Sequence, residues 1–221
     1  MTKLYNKAIS VLQYASDLHL EKGFNRYIKP SKPYLLLGGD IGYPSQSSYG
    51  EFLLNTSSDF DKIFVIAGNH EYDLFDQSYT DQLIKNICLK RNNIYFLQKN
   101  THVLCEKNGI FIAGCTLWSK LPKSKYERHL EHVKWIKQTL ENNLNNNYII
   151  ATHHAPLFAS LNEISHISNY FASNQSDIIQ IKNMLCWIHG HTHINKNINV
   201  YDKWILSNQY GSFEKSSRHY K

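Results

Sequence analysis

Clusters of Asp, Asn and His side chains follow five of the apolar segments in this chain. Residues of these types supply the oxygen and nitrogen ligands that divalent metal ions prefer. The clusters, in chain order, are Asp17 with His19, Asp40, Asn69 with His70, His153 with His154, and His191 with His193. Because the carboxyl ends of parallel strands meet at one edge of a sheet, we expect these side chains to lie together at a metal-binding edge.

Two of the clusters repeat one spacing. Asp17-x-His19 and His191-x-His193 each place two side chains at i and i+2, which is the same side of an extended backbone. Either pair can therefore bind one ion together. The set contains no Cys, which favours Mn, Fe, Zn, Co or Ni over a thiolate site.

Four residues near the clusters are not predicted to be metal ligands. We expect Glu21 and Glu71 to lie outside the ligand set, either beside the ligands or in solvent. His189 is interpreted as a structural side chain. Cys115 has no evident base beside it in the sequence and is predicted to be a buried core thiol.

The elements that must position these clusters alternate along the chain. Ser78–Leu89 and Tyr126–Leu144 carry apolar residues at three- and four-residue steps and are predicted to be helices. The alternation of strands with helices predicts an α/β fold. The predicted buried strands are Val11–Ala15, Tyr34–Leu37, Ile63–Ala67, Ile94–Leu97, Ile110–Ala113, Tyr148–Ala151 and Cys186–Ile188.

One stretch departs from this alternation. Ile94–Trp118 is rich in strand-forming residues and is predicted to form adjacent antiparallel strands, with Glu106–Gly109 as the turn. Asn142–Asn147 is predicted to be a surface loop rather than a linker, and Glu214–Lys221 a loose tail. We therefore expect one domain over residues 1–221.

Composition narrows the class of protein. Apolar residues make up 42% of the chain and charged residues 19%, which excludes disordered, collagenous and coiled-coil proteins. The 24 Lys and Arg outnumber the 18 Asp and Glu, and the net charge of +6 favours phosphate-bearing partners. Four widely spaced cysteines, with no signal peptide and no membrane-spanning apolar run, predict a soluble, cytoplasmic protein with reduced thiols.

Five motifs together resemble a known family. They are Asp17-Leu18-His19, Gly39-Asp40, Gly68-Asn69-His70-Glu71, His153-His154-Ala155-Pro156 and Gly190-His191-Thr192-His193. In this order they resemble the signatures of the calcineurin-like metallophosphoesterases, from about Val11 to Gly211. The resemblance implies a compact single-domain member with the four-layer α/β/β/α sandwich of the metallophosphoesterase type and two divalent metal ions.

The resemblance also implies a role for each clustered residue. Asp40 would bridge both ions, a bridging hydroxide would attack phosphorus, and His70 would protonate the leaving oxygen as the general acid. His153 rather than His154 is the implied ligand, because the family pattern runs ligand, any residue, small residue, then Pro. The other implied ligands are Asp17, His19 and His193 for the first ion, and Asn69, His153 and His191 for the second.

Two segments near the predicted site are candidates for substrate selection. A basic run at Lys120, Lys123, Lys125 and Arg128 precedes a long segment, Leu157–Asn174, that carries aromatic residues. One interpretation is a cationic rim for phosphate esters, with a ring of Tyr43, Trp118 or Tyr170 against a base or aromatic group. The other is a solvated charged face and a self-packed lid. The predicted substrate contacts are Tyr43, Trp118, Lys120, Lys123 and His154.

These observations predict a hydrolase, a dinuclear-metal-dependent phosphoesterase acting on phosphate mono- or diesters. The alternative is a non-catalytic protein-binding scaffold on the same fold. It is disfavoured because such relatives tend to lose ligands, whereas all seven implied ligands and His70 are present. Nucleotides and nucleic acids stay open as substrates, although no nucleic-acid-binding motif is recognisable. The identity of the metals, the choice between mono- and diester and the oligomeric state also stay open.

Overall fold

Short apolar runs form ten strands within residues 2–211, the part of the chain that the computed structural model describes. The predicted tail, Glu214–Lys221, lies outside the described residues. Central strands carry consecutive apolar residues because both of their faces are buried. The strands are β1 (Leu12–Ala15), β2 (Tyr34–Gly38), β3 (Lys62–Ile66), β4 (Ile94–Phe96), β5 (Asn100–Cys105), β6 (Ile110–Cys115), β7 (Asn147–Thr152), β8 (Met184–His189), β9 (Ile198–Val200) and β10 (Lys203–Ser207).

Helices alternate with these strands. The two predicted helices are confirmed at Gln77–Cys88 (α3) and Tyr126–Glu141 (α4), with ends that differ from the prediction by at most three residues. Asp76 caps the N-terminus of α3, because its carboxylate accepts a hydrogen bond from the Tyr79 N–H at 3.0 Å. Among residues 2–211, no helix is both long and apolar enough to span a bilayer. The helices are α1 (Thr2–Val11), α2 (Ser47–Thr56), α3 (Gln77–Cys88), α4 (Tyr126–Glu141), α5 (Ser168–Phe171) and α6 (Ser176–Ile179).

The strands form two sheets. The first has the order β1-β2-β3-β4 and is parallel throughout. The second has the order β5-β6-β7-β8-β10-β9, in which the edge strands β5 and β9 run antiparallel to their neighbours. The prediction for Ile94–Trp118 is right for β5 and β6, which pair around a turn at Glu106–Asn108. It is wrong for β4, which pairs parallel with β3 in the first sheet.

Alternate residues of the central strands face different layers. Leu35 and Leu37 of β2 pack in one core cluster with side chains of α2 and α3, whereas Leu36 packs in the cluster between the sheets. In β7, Ile149 joins the cluster between the sheets, and Ile150 packs with side chains of α4 and α6. The layers are therefore helix, sheet, sheet, helix, and the predicted α/β/β/α sandwich is confirmed.

The structure differs from the prediction near the first strand. Val11 ends α1, and β1 begins one residue later. The missed signal is the recurrence of Leu4, Ala8 and Val11 at four- and three-residue steps, which is typical of a helix. Ala8 of this helix is fully buried in the cluster between the sheets. The apolar pattern also does not predict α2, α5, α6, β9 and β10.

Candidate metal centre

The clustered side chains lie where the carboxyl ends of the two sheets meet. β1, β2 and β3 of the first sheet end just before Asp17, Asp40 and Asn69. β7 and β8 of the second sheet end just before His153 and His191. Both sheets therefore deliver polar side chains to one crevice, which is the usual position of a site in an open α/β sheet.

The side chains form two groups that share Asp40. Within each group, one ligand atom of every residue lies within 4.8 Å of the others. The Asn69 amide joins the second group, because its Oδ1 lies 3.1 Å from His153 Nε2. The groups are Asp17, His19, Asp40 and His193, and Asp40, His153 and His191.

Five of these residues have a left-handed backbone, so the prediction of extended i, i+2 pairs is wrong. His191 and His193 also fall in different groups. φ is +57° at Asp17, +52° at His19 and +51° at Asp40, and it is +69° at His191 and +52° at His193. Asp and His adopt this region more readily than most residues, but each costs about 1–3 kcal/mol that surrounding contacts must offset. One such contact is the hydrogen bond from the His191 N–H to Asp17 Oδ1, at 3.1 Å.

Three histidines have one ring nitrogen held by an acceptor outside the centre. Carbonyl and carboxylate oxygens accept hydrogen bonds, so each ring carries a proton on the held nitrogen and leaves the other nitrogen for a cation. The sequence alone shows neither the acceptors nor the ring orientations. The pairs are His19 Nδ1 with Glu21 Oε1 at 2.8 Å, His153 Nδ1 with the Gly38 carbonyl at 2.9 Å, and His191 Nε2 with the Tyr170 carbonyl at 3.2 Å.

Electrostatics favour a positive charge at the centre. Burial alone would raise the pKa of Asp40, but His153, whose Nε2 lies 3.2 Å from Asp40 Oδ2, lowers it well below its usual value. Burial lowers the pKa of His153, and the charge of Asp40 more than offsets this and raises it to about 9. A proton on His153 therefore occupies the lone pair that a divalent cation would use. Carboxylate, amide and imidazole donors suit such a cation.

A buried carboxylate holds the turn that carries Asp40. Glu71 accepts hydrogen bonds from the N–H groups of Gly68, Asp40 and Ile41, at 2.7, 3.0 and 2.8 Å. Burial, followed by the charge of Asp40, raises the pKa of Glu71 to about 8. Glu71 therefore lies beside the grouped side chains, which is the first of the two positions that the sequence left open for it.

The turns at the centre require glycine at two positions. Gly39 has a φ of +89°, and a Cβ on it would lie 2.6 Å from His153 Nδ1. A Cβ on Gly68 would overlap Asp40 Oδ1. Because any side chain would displace one of the grouped residues, both positions depend on the absence of a Cβ.

His70 lies at the edge of the centre. Its Nδ1 is 2.6 Å from Asp73 Oδ2, and its Nε2 is 3.9 Å from Asp40 Oδ2. Burial lowers the pKa of His70, but Asp40 and then Asp73 more than offset this and raise it. The side chain is 39% exposed, so its proton can exchange with solvent. The geometry therefore places a protonatable ring between the grouped carboxylates and water.

An aromatic cavity of about 440 Å³ lies beside the centre and shares Asn69 and His191 with it. Two of the predicted substrate contacts, Trp118 and His154, line this cavity. Lys125 is the basic residue that reaches the lining, and its Nζ lies 4.7 Å from the centroid of the Trp118 ring. The predicted contacts that do not line the cavity are Tyr43, Lys120 and Lys123. A larger cavity of about 710 Å³, beside β1 and β10, contains none of the grouped side chains.

Two residues near the centre are used for packing. His189 is 2% exposed and its Nδ1 donates to the Gly190 carbonyl at 3.0 Å, while burial lowers its pKa to about 4. Cys115 is fully buried in the cluster under α4, and burial raises its pKa to about 12. At neutral pH, both are therefore uncharged core side chains.

The clusters lie within a segment that matches one family of known proteins. The sequence model of the calcineurin-like phosphoesterases matches residues 14–195, which includes every grouped side chain. The chain belongs to the calcineurin-like phosphoesterase family. Membership makes it a hydrolase that acts on phosphate esters.

One viral protein and two solved structures are similar to this calcineurin-like phosphoesterase. An uncharacterized protein of Acanthamoeba polyphaga mimivirus is 29% identical over 261 aligned positions, and the alignment covers 91% of each chain. The phosphopantetheinyl hydrolase of Mycobacterium tuberculosis has a TM-score of 0.77 at 16% identity, over 95% of this chain and 93% of that one. A Staphylococcus aureus protein provisionally described as a 5′-nucleotidase has a TM-score of 0.57 at 14% identity, over 91% of this chain and 49% of its own. At these identities, the two structures show a shared fold.

Proposed function

We propose that this chain hydrolyses phosphate mono- or diesters with two divalent metal ions bound at Asp40. The observation that carries the proposal is that Asp40 belongs to both groups of converging side chains. Two cations held about 3.5–4 Å apart repel each other unless an anion lies between them. Asp40 is 1% exposed, and its carboxylate supplies that anion inside the protein.

The ligands follow from the two groups. When bound, divalent cations supply a nucleophile at neutral pH and neutralise the charge of the phosphate. Each group combines side chains from both sheets, so both sheets must be packed for the centre to form. The proposed ligands are Asp17, His19, Asp40 and His193 for one cation, and Asp40, Asn69, His153 and His191 for the other.

His70 supplies the proton that the leaving oxygen needs. Asp73 holds Nδ1 at 2.6 Å, so the ring presents Nε2 toward Asp40 and the phosphate position. The hydrogen bond to Asp73 stabilises the protonated ring, and the exposure of the ring allows the proton to be replaced from solvent. General-acid catalysis of this kind contributes roughly 10²–10⁴ in rate.

The test is turnover after metal removal and reloading. The chelated protein is reloaded with Mn, Fe, Zn, Co, Ni or Mg and assayed against p-nitrophenyl phosphate, its bis ester, nucleoside cyclic phosphates and short oligonucleotides. We expect restored turnover of one ester class. Asp40→Asn should lower kcat more than about a hundredfold, whereas Asp61→Asn, a change of an exposed carboxyl group outside both groups, should not.

Two results would contradict the proposal. Turnover that survives chelation, or that survives Asp40→Asn, would show that the centre is not used. Absence of turnover with every cation would instead favour the alternative of a protein-binding scaffold.

A further inference from the structure

The cavity beside the centre is lined by a continuous series of rings, here called the ring belt. Consecutive ring centroids are 5.5, 5.7, 4.0 and 5.4 Å apart. All of the members line the 440 Å³ cavity, and His191 also belongs to the proposed metal site. The ring belt is Tyr72, Trp118, His154, His191 and Phe171.

The position of the ring belt decides what part of a substrate it meets. His191 and Asn69 belong both to the proposed ligand set and to the wall of the cavity. A phosphate held at the centre would therefore lie beside the mouth of the cavity. The group attached to its ester oxygen must either enter the cavity or turn outward into solvent, and burial against aromatic faces favours entry.

The wall of the cavity that contains Trp118 is fixed by contacts with α4. Leu117 and Trp118 have φ values of +68° and +54°, a conformation that must be stabilised by contacts. Two histidines of α4 supply them. The Leu117 N–H donates to His132 Nδ1 at 3.0 Å, and His129 Nδ1 lies 3.2 Å from the carbonyl oxygens of both Leu117 and Trp118.

The wall that contains Tyr170 and Phe171 is hydrogen-bonded to the segment that follows Trp118. Ser119 Oγ donates to the Tyr170 carbonyl at 2.7 Å, and the Leu121 N–H donates to the Asn169 carbonyl at 3.1 Å. These hydrogen bonds join the Trp118 segment to α5, the helix that carries Tyr170 and Phe171. Because both walls are fixed to each other, a ligand does not have to order the cavity on entry, which lowers the entropic cost of binding.

The type of surface specifies the type of ligand. Aromatic faces stack on other flat rings, and stacking is tolerant of the identity of the ring. Lys125, over the face of Trp118, adds a positive charge at this wall, which suits an anionic ester. The volume of about 440 Å³ lies within the usual range of small-molecule sites, ~300–1,000 Å³.

We infer that the cavity is the subsite for the organic group of the substrate, and that this group is a flat aromatic or heteroaromatic ring on the esterified alcohol. This inference rests on the proposed phosphoesterase function and deepens it. The ring stacks within the belt while the phosphate lies at the Asp40 centre. Trp118 and Phe171 are thus specificity-determining residues.

The test uses esters whose leaving alcohols depend equally on protonation by a general acid. Ethyl, cyclohexylmethyl, benzyl and 2-naphthylmethyl phosphate are all esters of primary alcohols of similar acidity, so differences in kcat/KM report binding of the organic group. We expect benzyl and naphthylmethyl phosphate to exceed cyclohexylmethyl phosphate about tenfold, because stacking rather than apolar volume selects the ligand.

Variants locate the preference in the ring belt. Trp118→Leu should reduce the preference for benzyl over cyclohexylmethyl phosphate to less than about threefold. Phe171→Leu is a second variant; Phe171 lines the cavity and is only partly buried, and its replacement should reduce the same ratio. Trp204→Leu is the matched control, because Trp204 lies on β10 outside the cavity lining, and it should keep the full preference.

A binding measurement separates this inference from the proposed function. Calorimetry with non-hydrolysable 2-naphthylmethylphosphonate and cyclohexylmethylphosphonate requires no turnover. Tighter binding of the naphthyl compound that Trp118→Leu abolishes supports the aromatic subsite even if no ester is hydrolysed. Equal binding and equal kcat/KM of the flat and saturated rings would overturn the subsite while leaving the phosphoesterase intact. Loss of all turnover with the binding preference retained would overturn only the function.

Discussion

His70 and the grouped histidines differ in how far their rings are exposed to solvent. His19 and His153 are fully buried in the centre, whereas the His70 side chain is 39% exposed and paired with Asp73. A buried ring between carboxylates is suited to holding a cation, and a partly exposed ring beside one is suited to exchanging protons with solvent. The two roles of histidine here therefore differ because the rings lie a few ångströms apart, and not because of residue type.

This position of His70 makes its replacement selective for the leaving group. His70→Ala should lower kcat for ethyl phosphate by roughly 10²–10⁴, because a poor leaving group needs its proton. The loss for p-nitrophenyl phosphate should be less than about tenfold, because nitrophenolate leaves without one. Steady-state kinetics on both esters measures the difference. Equal losses would show that His70 acts on binding or structure instead.

The residue types at the centre were predictable, and their backbone conformation was not. The order and spacing of the Asp, Asn and His clusters were sufficient to predict which side chains converge. Left-handed φ values at Asp17 and His193 depend on partners distant in the chain, such as the Gln209 side chain, whose Oε1 accepts from the His193 N–H at 2.6 Å. No local pattern in the sequence indicates such a contact.

At the scale of elements, α4 holds the segment that begins the aromatic cavity. Burial, followed by Lys99, lowers the pKa of His132 to about 3 from an ordinary value of 6.5, so the ring stays neutral and accepts the Leu117 N–H. In the unfolded chain, His132 takes up a proton below about pH 6.5. The unfolded state then binds more protons than the folded state, so stability falls as pH drops from about 6.5 toward 3.

This linkage predicts a pH effect that one substitution removes. His132→Gln removes the titrating group and keeps a polar side chain beside the Leu117 N–H. Between pH 6.5 and 5, the wild-type free energy of unfolding should fall about 2 kcal/mol more than that of the variant. Urea denaturation across this range measures it, with His166→Gln, at an exposed histidine, as the control. Parallel pH profiles of wild type and His132→Gln would rule out this linkage.

The hairpin between β9 and β10 carries a second local strain. Tyr201 and Asp202 form its two-residue loop with φ values of +53° and +58°, which a type I′ turn requires and which Asn-Gly adopts more readily. The double change Tyr201→Asn, Asp202→Gly should therefore stabilise the fold by about 1 kcal/mol and raise Tm by about 2–4 °C. Thermal denaturation gives the value.

The control for the hairpin removes the same side chains but leaves the strain of the left-handed backbone in place. Tyr201→Ala with Asp202→Ala keeps a Cβ at both left-handed positions, so it should give no gain in Tm. A gain from the alanine pair equal to that from Asn-Gly would show that loss of the exposed tyrosine, and not the turn conformation, is the cause.

At the scale of the whole molecule, motif order was enough to predict the sandwich and the shared edge of its sheets. It was not enough to predict the walls of the cavity. Lys125 lines the cavity and Lys120 and Lys123 do not, because side-chain direction is set by the turn at Lys123–Lys125 and by the hydrogen bonds to α5. The basic run indicates charge near the site, and only the folded chain shows which charge meets the ligand.

The centre also joins the two halves of the fold, and this gives a test of metal binding by stability. Asp17, Asp40 and Asn69 come from the first sheet, and His153 and His191 from the second, so cations bound there link the sheets in the folded state alone. Ligand at 100 times its Kd adds ~2.7 kcal/mol, which for a chain of this length is a rise in Tm of about 5–10 °C.

Thermal denaturation of chelated and reloaded protein measures that rise. It should disappear in Asp40→Asn, which removes the anion common to both groups, and persist in Asp61→Asn. A reloaded wild type whose Tm does not change would mean that the converging carboxylates and imidazoles bind no metal, and the proposed chemistry would fail with them.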